Sequence, residues 1–211
     1  MKLGVIAGCV LVSLAAPACS SSSGTAVPET SVPTGSSGAT ASQSARTTLT
    51  EAKLQPPSQD NKYTQSTGRQ KVVFDPCTWI GAADIESVGL HSESRRRGPD
   101  LVAEYTYLTC IFRNPDNTMS LHVDSGNVSW DENLRKNGAW LQPTTVNGRQ
   151  AGLVRGQPGG EDACQVHLQS KVGVVIVGNL VLSLGKTQNL DPCANIMDIA
   201  SVVEKSIGTE N

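Results

Sequence analysis

Four cysteines in the C-terminal two thirds of the chain have the spacing that most directly indicates chemistry. They are Cys77, Cys110, Cys164 and Cys193. Two of them stand in the same tripeptide, Asp-Pro-Cys, within the segments FDPCTWI and LDPCANIM. In an exported protein an even number of cysteines predicts disulfides, and four cysteines permit three connectivities. Whether the chain is exported therefore decides the role of these residues.

The first eighteen residues, MKLGVIAGCVLVSLAAPA, have the pattern of an export signal. Lys2 is followed by an uncharged apolar run that is too short for a stop-transfer membrane helix. The run ends at Cys19, directly after Ala-Pro-Ala, and this predicts cleavage before Cys19 and lipidation of its thiol. Two alternatives remain, namely lipidation of Cys9, which follows Ile-Ala-Gly, and a plain secretory signal that is cut near Ala18.

Lipidation of Cys19 predicts where the protein is held. A diacylglyceryl thioether and an N-acyl chain such as palmitate exceed the two hydrophobic signals that stable anchoring requires. We therefore expect a lipoprotein on the extracytoplasmic face of the cell membrane. Residues 19–70 are rich in Ser, Thr and Pro, and we expect them to form a disordered tether with a reach on the order of 40 Å. Residues 71–211 have the length of one globular domain.

The charges of residues 71–211 give no indication of nucleic-acid binding. This region has 12 Lys and Arg residues against 16 Asp and Glu residues, and it contains no Gly-rich phosphate loop. The densest charged run is Arg95-Arg96-Arg97. We interpret it as a solvated loop or, alternatively, as a patch for anionic lipid head groups or envelope polymers.

The three histidines do not form a recognisable catalytic or metal-binding pattern. His91, His122 and His167 have no histidine partner at the spacings that bring ligands together on one element. Even if the strands of His122 and His167 were neighbours, two imidazoles without a third ligand would make a poor zinc site. No Gly-x-Ser-x-Gly motif precedes a helix. We expect no catalytic residue, no metal site and no cofactor.

Each Asp-Pro-Cys tripeptide predicts the start of a helix. Asp accepts hydrogen bonds from the free N–H groups of a first turn, and Pro at the first helical position needs no donor. After Asp191, apolar residues recur along one helical stripe to Ile207, and Gly208 is placed to end the helix. The helix after Asp75 is expected to be shorter and to be interrupted at Gly81.

The region between the two helices has the patterns of strands. EYTYLTCIF and SLHVD are rich in aromatic and β-branched residues, and Asn147-Gly148 is a favoured pair for a tight hairpin turn. ACQVHLQ and VGVVIVGNLVL predict a second hairpin around Lys171, and WDENLRKNG predicts a short helix. We predict class α+β, an antiparallel sheet with N- and C-terminal helices packed on one face. The three tryptophans, Trp79, Trp130 and Trp140, are expected in the packing between helices and sheet.

These elements favour disulfides between cysteines that are close in sequence. The first helix leads away from Cys77 and the next strand returns with Cys110, whereas Cys164 and Cys193 flank the second hairpin. We therefore favour Cys77–Cys110 and Cys164–Cys193, with Cys77–Cys193 and Cys110–Cys164 as the alternative.

Several segments occur in an order that resembles a known family. They are the lipidation signal with its Ser/Thr-rich tether, FDPC, YLTCIF, SWDENLRK, VNGRQAGLV, ACQVHL and DPCANIMDIASVVEKSI. Together they resemble the actinobacterial lipoproteins typified by mycobacterial LprB and LprC, which share a domain of unknown function. Phe112 departs from the pattern, since a Trp often follows the strand cysteine. The resemblance implies an envelope lipoprotein and offers no catalytic residue.

Anchor, tether and disulfide-bonded domain together favour a presentation role. We expect a non-catalytic module that binds an envelope protein, lipid or glycan at the membrane surface. The alternative is an accessory or structural subunit of a cell-envelope complex, and a hydrolase is the third class.

Overall fold

The computed structural model of the chain describes residues 48–156 and 160–211. The strands in these residues are β1 (His91–Arg97), β2 (Leu101–Val102), β3 (Thr106–Arg113), β4 (Met119–Gly126), β5 (Gln142–Val146), β6 (Arg149–Arg155), β7 (Ala163–Gln169) and β8 (Val174–Val181). The helices are α1 (Lys62–Thr67), α2 (Pro76–Trp79), α3 (Ala82–Ser87), α4 (Trp130–Asn137), α5 (Ser183–Thr187) and α6 (Ile196–Ile207), with a 3-10 turn at Ala52–Leu54.

The strands form one antiparallel sheet in the order β1-β3-β4-β8-β7-β6-β5, and β2 pairs with β3 outside this order. The last strand, β8, therefore lies between β4 and β7. Because β4 is central and β5 is at the far edge, the chain that joins them has to cross one face of the sheet. Helix α4 belongs to this crossing connection.

The main core lies on one face, which we call the inner face. Residues of α2, α3 and α6 pack there against alternate residues of the central strands, among them Phe112, Val123 and Val177, which are fully buried. Phe112, which departs from the pattern of the resembling lipoproteins, is therefore a core residue. The predicted class, α+β with N- and C-terminal helices on one face of an antiparallel sheet, is confirmed.

The opposite face, which we call the outer face, is covered by α4 over part of its area. Trp130 of α4 packs with Val128 and Val174 in a second, smaller apolar cluster. Ser129 begins the helix with a capping box, in which its hydroxyl accepts from Glu132 N–H and the Glu132 carboxylate accepts from Ser129 N–H. The short helix predicted for WDENLRKNG is confirmed.

Local turn chemistry explains the hairpins. Asn147 and Gly148 have φ angles of 50° and 85°, in the left-handed region that a tight two-residue turn requires. They join β5 to β6 with Val146 paired to Arg149, as the Asn-Gly dipeptide predicts. The strands around Lys171, β7 and β8, pair as the second predicted hairpin.

The C-terminal helix begins later than its sequence predicts. Residues 192–195 form turns, and Asn195 has a left-handed φ of 61°, so that α6 begins at Ile196. A left-handed residue breaks the regular hydrogen-bond pattern, and it separates the Asp-Pro-Cys turn from the helix. Gly208 ends α6 as expected, with a φ of 79°.

The expected tether also needs correction over residues 48–70, which contact the domain. Leu54 is buried in the main core, and Leu49 N–H donates to the carbonyl of Thr78 at 2.9 Å. The Gln59 side chain bonds both backbone groups of Val72, at 2.8 and 2.9 Å. Leu49, Leu54 and Gln59 stand singly in a polar stretch. Only their contacts with the rest of the fold show that this stretch is packed against the domain. Residues 19–47 of the predicted tether lie outside the described residues.

Two of the three tryptophans pack as predicted, and one does not. Trp79 makes an edge-to-face contact with Phe74, with ring centroids 5.7 Å apart, and Trp130, the first residue of α4, is buried against Val128 and Val174. Trp140 is 45% exposed, because it lies just after the end of α4 and outside both apolar clusters.

Candidate ligand-binding groove

The four predicted disulfide cysteines are all bonded. Cys77 pairs with Cys110, and Cys164 pairs with Cys193. The favoured local connectivity is confirmed and the alternative is excluded. These cysteines are therefore structural, and neither pair leaves a thiol for chemistry. Cys19, the predicted lipidation site, lies outside the described residues.

The same hydrogen bond, from the Cys N–H to the Asp side chain, occurs in both Asp-Pro-Cys tripeptides, although their local structures differ. Asp75 begins α2 by accepting from Cys77 N–H at 3.2 Å, and Asp191 accepts from Cys193 N–H at 2.8 Å. Each Asp thus closes a turn whose Cys is bonded to the sheet, to Cys110 of β3 or to Cys164 of β7. Only the first of the two turns is a helix start.

The arginine run is part of a strand, and neither interpretation offered for it holds for Arg95 and Arg97. Both side chains lie on the inner face. Arg95 donates from Nη1 to the carbonyls of Cys77 and Ile80, at 2.9 and 2.7 Å. Arg97 pairs with the Asp75 carboxylate. Strand pairing with β3 puts only Arg96 on the outer face, where it is exposed.

The three histidines lie on three different strands. His91 is the exposed first residue of β1. His122 on β4 and His167 on β7 share the outer face but are separated by β8. Within residues 48–156 and 160–211, no three His, Cys, Asp or Glu side chains are placed to hold a metal ion.

A groove of about 250 Å³ lies on the part of the outer face that α4 leaves uncovered. Its lining comes from three adjacent central strands: His122 and Asp124 of β4, Gly178 and Leu180 of β8, and Ala163 and Gln165 of β7. Gly178 is the partner of both His122 and Gln165 in the sheet. Because Gly178 has no side chain, the floor of the groove is main chain between two polar walls. We name this the outer-face groove.

Asp124 has the most unusual electrostatic setting in the groove. Its Oδ1 accepts a hydrogen bond from the Thr109 hydroxyl at 2.6 Å. Burial raises the pKa of the Asp124 carboxyl, whereas the Thr109 hydrogen bond and the nearby His122 act in the opposite direction, and Asp100 raises it further. A carboxylate in this position is desolvated without a strong counter-charge.

Both outer-face histidines are shifted towards the neutral imidazole. Burial is the main cause that lowers the pKa of His122, and Arg96 adds to it. Burial lowers the pKa of His167 to about 4. His167 lies between Asn133 of α4, at 2.8 Å from Nδ1, and Gln165, at 3.2 Å from Nε2. His167 therefore connects α4 to the wall of the groove.

A larger depression of about 560 Å³ around Arg149 has a structural role. The Arg149 guanidinium donates to the Glu204 carboxylate at 2.9 Å and to the main-chain oxygens of Gln169, Gly208 and Asn211. The bonds to Gly208 and Asn211 satisfy carbonyls at and after the C-terminal end of α6, and the bond to Gln169 reaches the end of β7. Since the donors are already engaged, the outer-face groove is the better candidate for a ligand site.

Sequence reasoning missed Asp124, Gln165 and Gly178 as site residues. A signal was present for Gly178, because an isolated glycine inside an apolar strand often marks a close approach of another group. His122 and Asp124 are two residues apart, and this spacing places both on one face of a strand. Strand β8 lies between these two residues and Gln165. Its place in the sheet depends on long-range strand pairing, which the sequence pattern does not reveal.

Comparisons with known proteins identify a family. No curated protein and no solved structure matches the chain. In the part of the chain that the structure describes, none of the helices has the length and apolar character to cross a membrane. The sequence profile of one family, described as a protein of unknown function (DUF3558), matches residues 14–206. Because this match covers most of the 211 residues, the chain belongs to the DUF3558 family.

Proposed function

We propose that the protein is an envelope lipoprotein of the LprB/LprC type, anchored through Cys19 on the extracytoplasmic face of the cell membrane. Its folded part is a non-catalytic module, and the outer-face groove is where it binds a component of the envelope. The ordered segments FDPC, YLTCIF, SWDENLRK and ACQVHL support the relationship to the actinobacterial lipoproteins. The apolar run that ends at Cys19 supports the anchor.

The observation that carries the binding role is the part of the outer face that α4 leaves uncovered. The connection through α4 covers His167 and Val174 but leaves His122, Asp124 and Gly178 to line a concave surface. A groove with an apolar end and a few polar groups has the usual composition of a small-ligand site. Burial raises the pKa of the Asp124 carboxyl and so disfavours its ionised form, and a ligand that donates to this group would offset that cost.

The contacts of the groove residues support binding rather than turnover. Asp124 accepts from Thr109, and within the described residues His122 makes no hydrogen bond to Asp124. A nucleophile, its base and an orienting group within hydrogen-bond reach are the minimum for acyl transfer. The groove residues do not form such a relay, and a broad panel of esterase, protease and glycosidase substrates is expected to show no turnover.

The anchor is tested by replacing the lipidated residue. Cys19→Ala is expected to abolish metabolic labelling with a palmitate analogue and to move the protein out of the membrane fraction. The matched control is Cys9→Ala, which keeps labelling and membrane attachment. Labelling that persists in Cys19→Ala and disappears in Cys9→Ala would contradict the assignment of the anchor.

The binding role is tested by native mass spectrometry of the full chain released from its own membranes in mild detergent. We expect a mass that exceeds that of the lipidated chain by a bound small ligand. Gly178→Val fills the floor of the groove: a Cβ there would lie 3.3 Å from Gln165 Cγ, a flexible neighbour that can move. This variant is expected to lose the added mass.

Gln150→Val is the control for the groove-filling variant, because it places the same side chain at an exposed strand position outside the groove. It is expected to keep the added mass. Equal ligand occupancy in Gly178→Val and Gln150→Val would contradict binding in the groove. A partner of protein size that survives both substitutions would instead favour the role of accessory subunit.

A further inference from the structure

The Asp124 carboxylate has a bonding capacity that the described residues do not use. Thr109 Oγ1 donates to Oδ1 at 2.6 Å, and Oδ2 accepts no hydrogen bond from residues 48–156 and 160–211. Asp124 lines the outer-face groove, so a molecule in the groove lies next to this residue. An ionised carboxylate accepts up to four hydrogen bonds, and it favours donors that carry positive charge.

The charges around Asp124 leave its negative charge uncompensated. Arg97 is already paired with Asp75 and Asp100. Among the residues that the structure describes, no Lys or Arg forms an ion pair with Asp124. His122 is the nearest titratable neighbour on the same strand, and its lowered pKa keeps the ring mostly neutral at pH 7. Asp100 is a further acidic group close by, and it is itself paired with Arg97.

The other end of the groove is apolar. Ala163 and Leu180 are direct partners in the pairing of β7 with β8, and both line the groove. Along the strand direction, the positions of Asp124 and Leu180 are four residues apart, which corresponds to about 13 Å. Between these positions, Gly178 allows a ligand to lie against the main chain.

We propose that the outer-face groove binds an amphiphilic amine, whose ammonium group pairs with Asp124 and whose apolar part lies over Gly178 towards Ala163 and Leu180. This assignment rests on the proposed function of the groove and names its ligand class. A buried carboxylate favours a cation over a neutral donor, because the positive charge of the cation offsets the free energy that the carboxylate loses when it leaves water.

Three ligands with the same alkyl chain separate charge from apolar contact. Hexylammonium, hexan-1-ol and hexanoate are titrated into the full chain at pH 7, and the amide signals are followed by two-dimensional NMR. Hexylammonium is expected to shift the signals of Asp124, Gly178 and Gln165 and to bind at least ten times more tightly than hexan-1-ol. Hexanoate is expected to leave these signals unchanged.

Two variants with the same change of charge locate the effect. Asp124→Asn is expected to lower the affinity for hexylammonium to that for hexan-1-ol. Asp116→Asn, in an exposed turn, is expected to leave both affinities unchanged. An equal loss in both variants, or binding of hexanoate as tight as that of hexylammonium, would overturn the ligand assignment.

The remaining outcomes separate the ligand class from the binding role. If hexylammonium and hexan-1-ol bind equally in the groove and Gly178→Val abolishes both, the amine assignment is wrong and the binding role stands. If none of the three shifts the groove signals, the amine assignment is also wrong, and the ligand mass in native mass spectrometry decides the binding role separately.

Discussion

Arg97 binds both carboxylate oxygens of Asp75 from one nitrogen, with Nη2 at 2.7 Å from Oδ1 and 2.6 Å from Oδ2. Asp75 begins α2, and Arg97 ends the edge strand β1. The same guanidinium also contacts Asp100 and the carbonyl of Leu54. The first Asp-Pro-Cys is therefore a junction, at which a helix start, a strand end and the segment preceding the domain meet.

This junction predicts different effects for adjacent arginines. Arg97→Met leaves the buried Asp75 and the partly buried Asp100 without their cation and is expected to lower the free energy of unfolding by about 3 kcal/mol. Arg96→Met, at an exposed position of the same run, is expected to change it by less than about 0.5 kcal/mol. Urea denaturation of both variants measures the difference, and similar losses would contradict the role given to Arg97.

The two disulfides are expected to stabilise the domain by similar amounts. Their sequence separations are 33 and 29 residues, for which the chain-entropy relation gives about 3–4 kcal/mol each. The pairwise replacements of Cys77 and Cys110 by Ser, and of Cys164 and Cys193 by Ser, are compared by chemical denaturation. Peptide mapping without reduction should find the two local cross-links, whereas a peptide joining Cys77 to Cys193 would contradict them.

His167 predicts a loss of stability in acid. Its pKa is about 4 in the folded protein and about 6.5 when exposed, so between these values only the unfolded chain binds the proton. The stability that the fold gains from a neutral His167 is therefore complete above pH 6.5 and is lost as the pH falls to 4. The shift of about 2.5 units corresponds to about 3 kcal/mol.

Thermal unfolding between pH 7 and pH 4 measures this contribution. His167→Gln, which keeps a side chain able to bond Asn133, is expected to flatten the pH dependence. His91→Gln, at an exposed position, is the control and is expected to keep the slope of the unchanged protein. Identical slopes in the two variants would rule out His167 as the source.

Replacement of Asp124 in the groove is expected to stabilise the fold. The pKa of Asp124 is raised above its usual value of 3.8, so the folded state favours the protonated carboxyl. This preference is present in acid and is lost as the pH rises through the folded pKa. Asp124→Asn, which keeps an acceptor for Thr109, should therefore raise stability at pH 7.5 by on the order of 1 kcal/mol and have little effect at pH 3.

The melting temperatures of Asp124→Asn and the unchanged protein at the two pH values provide the measurement. A gain near neutrality that vanishes in acid is the expected result, and it is typical of a site residue retained for function at the expense of stability. A loss of stability at pH 7.5 would mean that the fold already compensates the ionised Asp124.

Much of the fold was predictable because its signals are local. The Asn147-Gly148 turn, the capping box at Ser129 and the alternation in SLHVD each act within a few residues. Strand β1 was missed because HSESRRR has no apolar alternation. It is a strand because it pairs with β3 and because Arg95 and Arg97 find partners on α2.

The groove was not predictable for a different reason. It depends on the insertion of β8 between β4 and β7, which brings Gly178 between His122 and Gln165. Pairing between segments about 55 residues apart, such as β4 and β8, leaves no periodic pattern in either strand. The glycine in VVIVGNLVL was visible in the sequence, but the residues that flank it in space were not.

Binding in the outer-face groove is tested most directly by hydroxyl-radical footprinting of the full chain. The chain is labelled with and without a detergent extract of the envelope that contains the ligand. We predict that the extract lowers the labelling of His122 and Leu180, which line the groove, and leaves that of the exposed Trp140 and Tyr63 unchanged. Unchanged labelling of His122 and Leu180, with protection confined to residues away from the groove, would contradict this account.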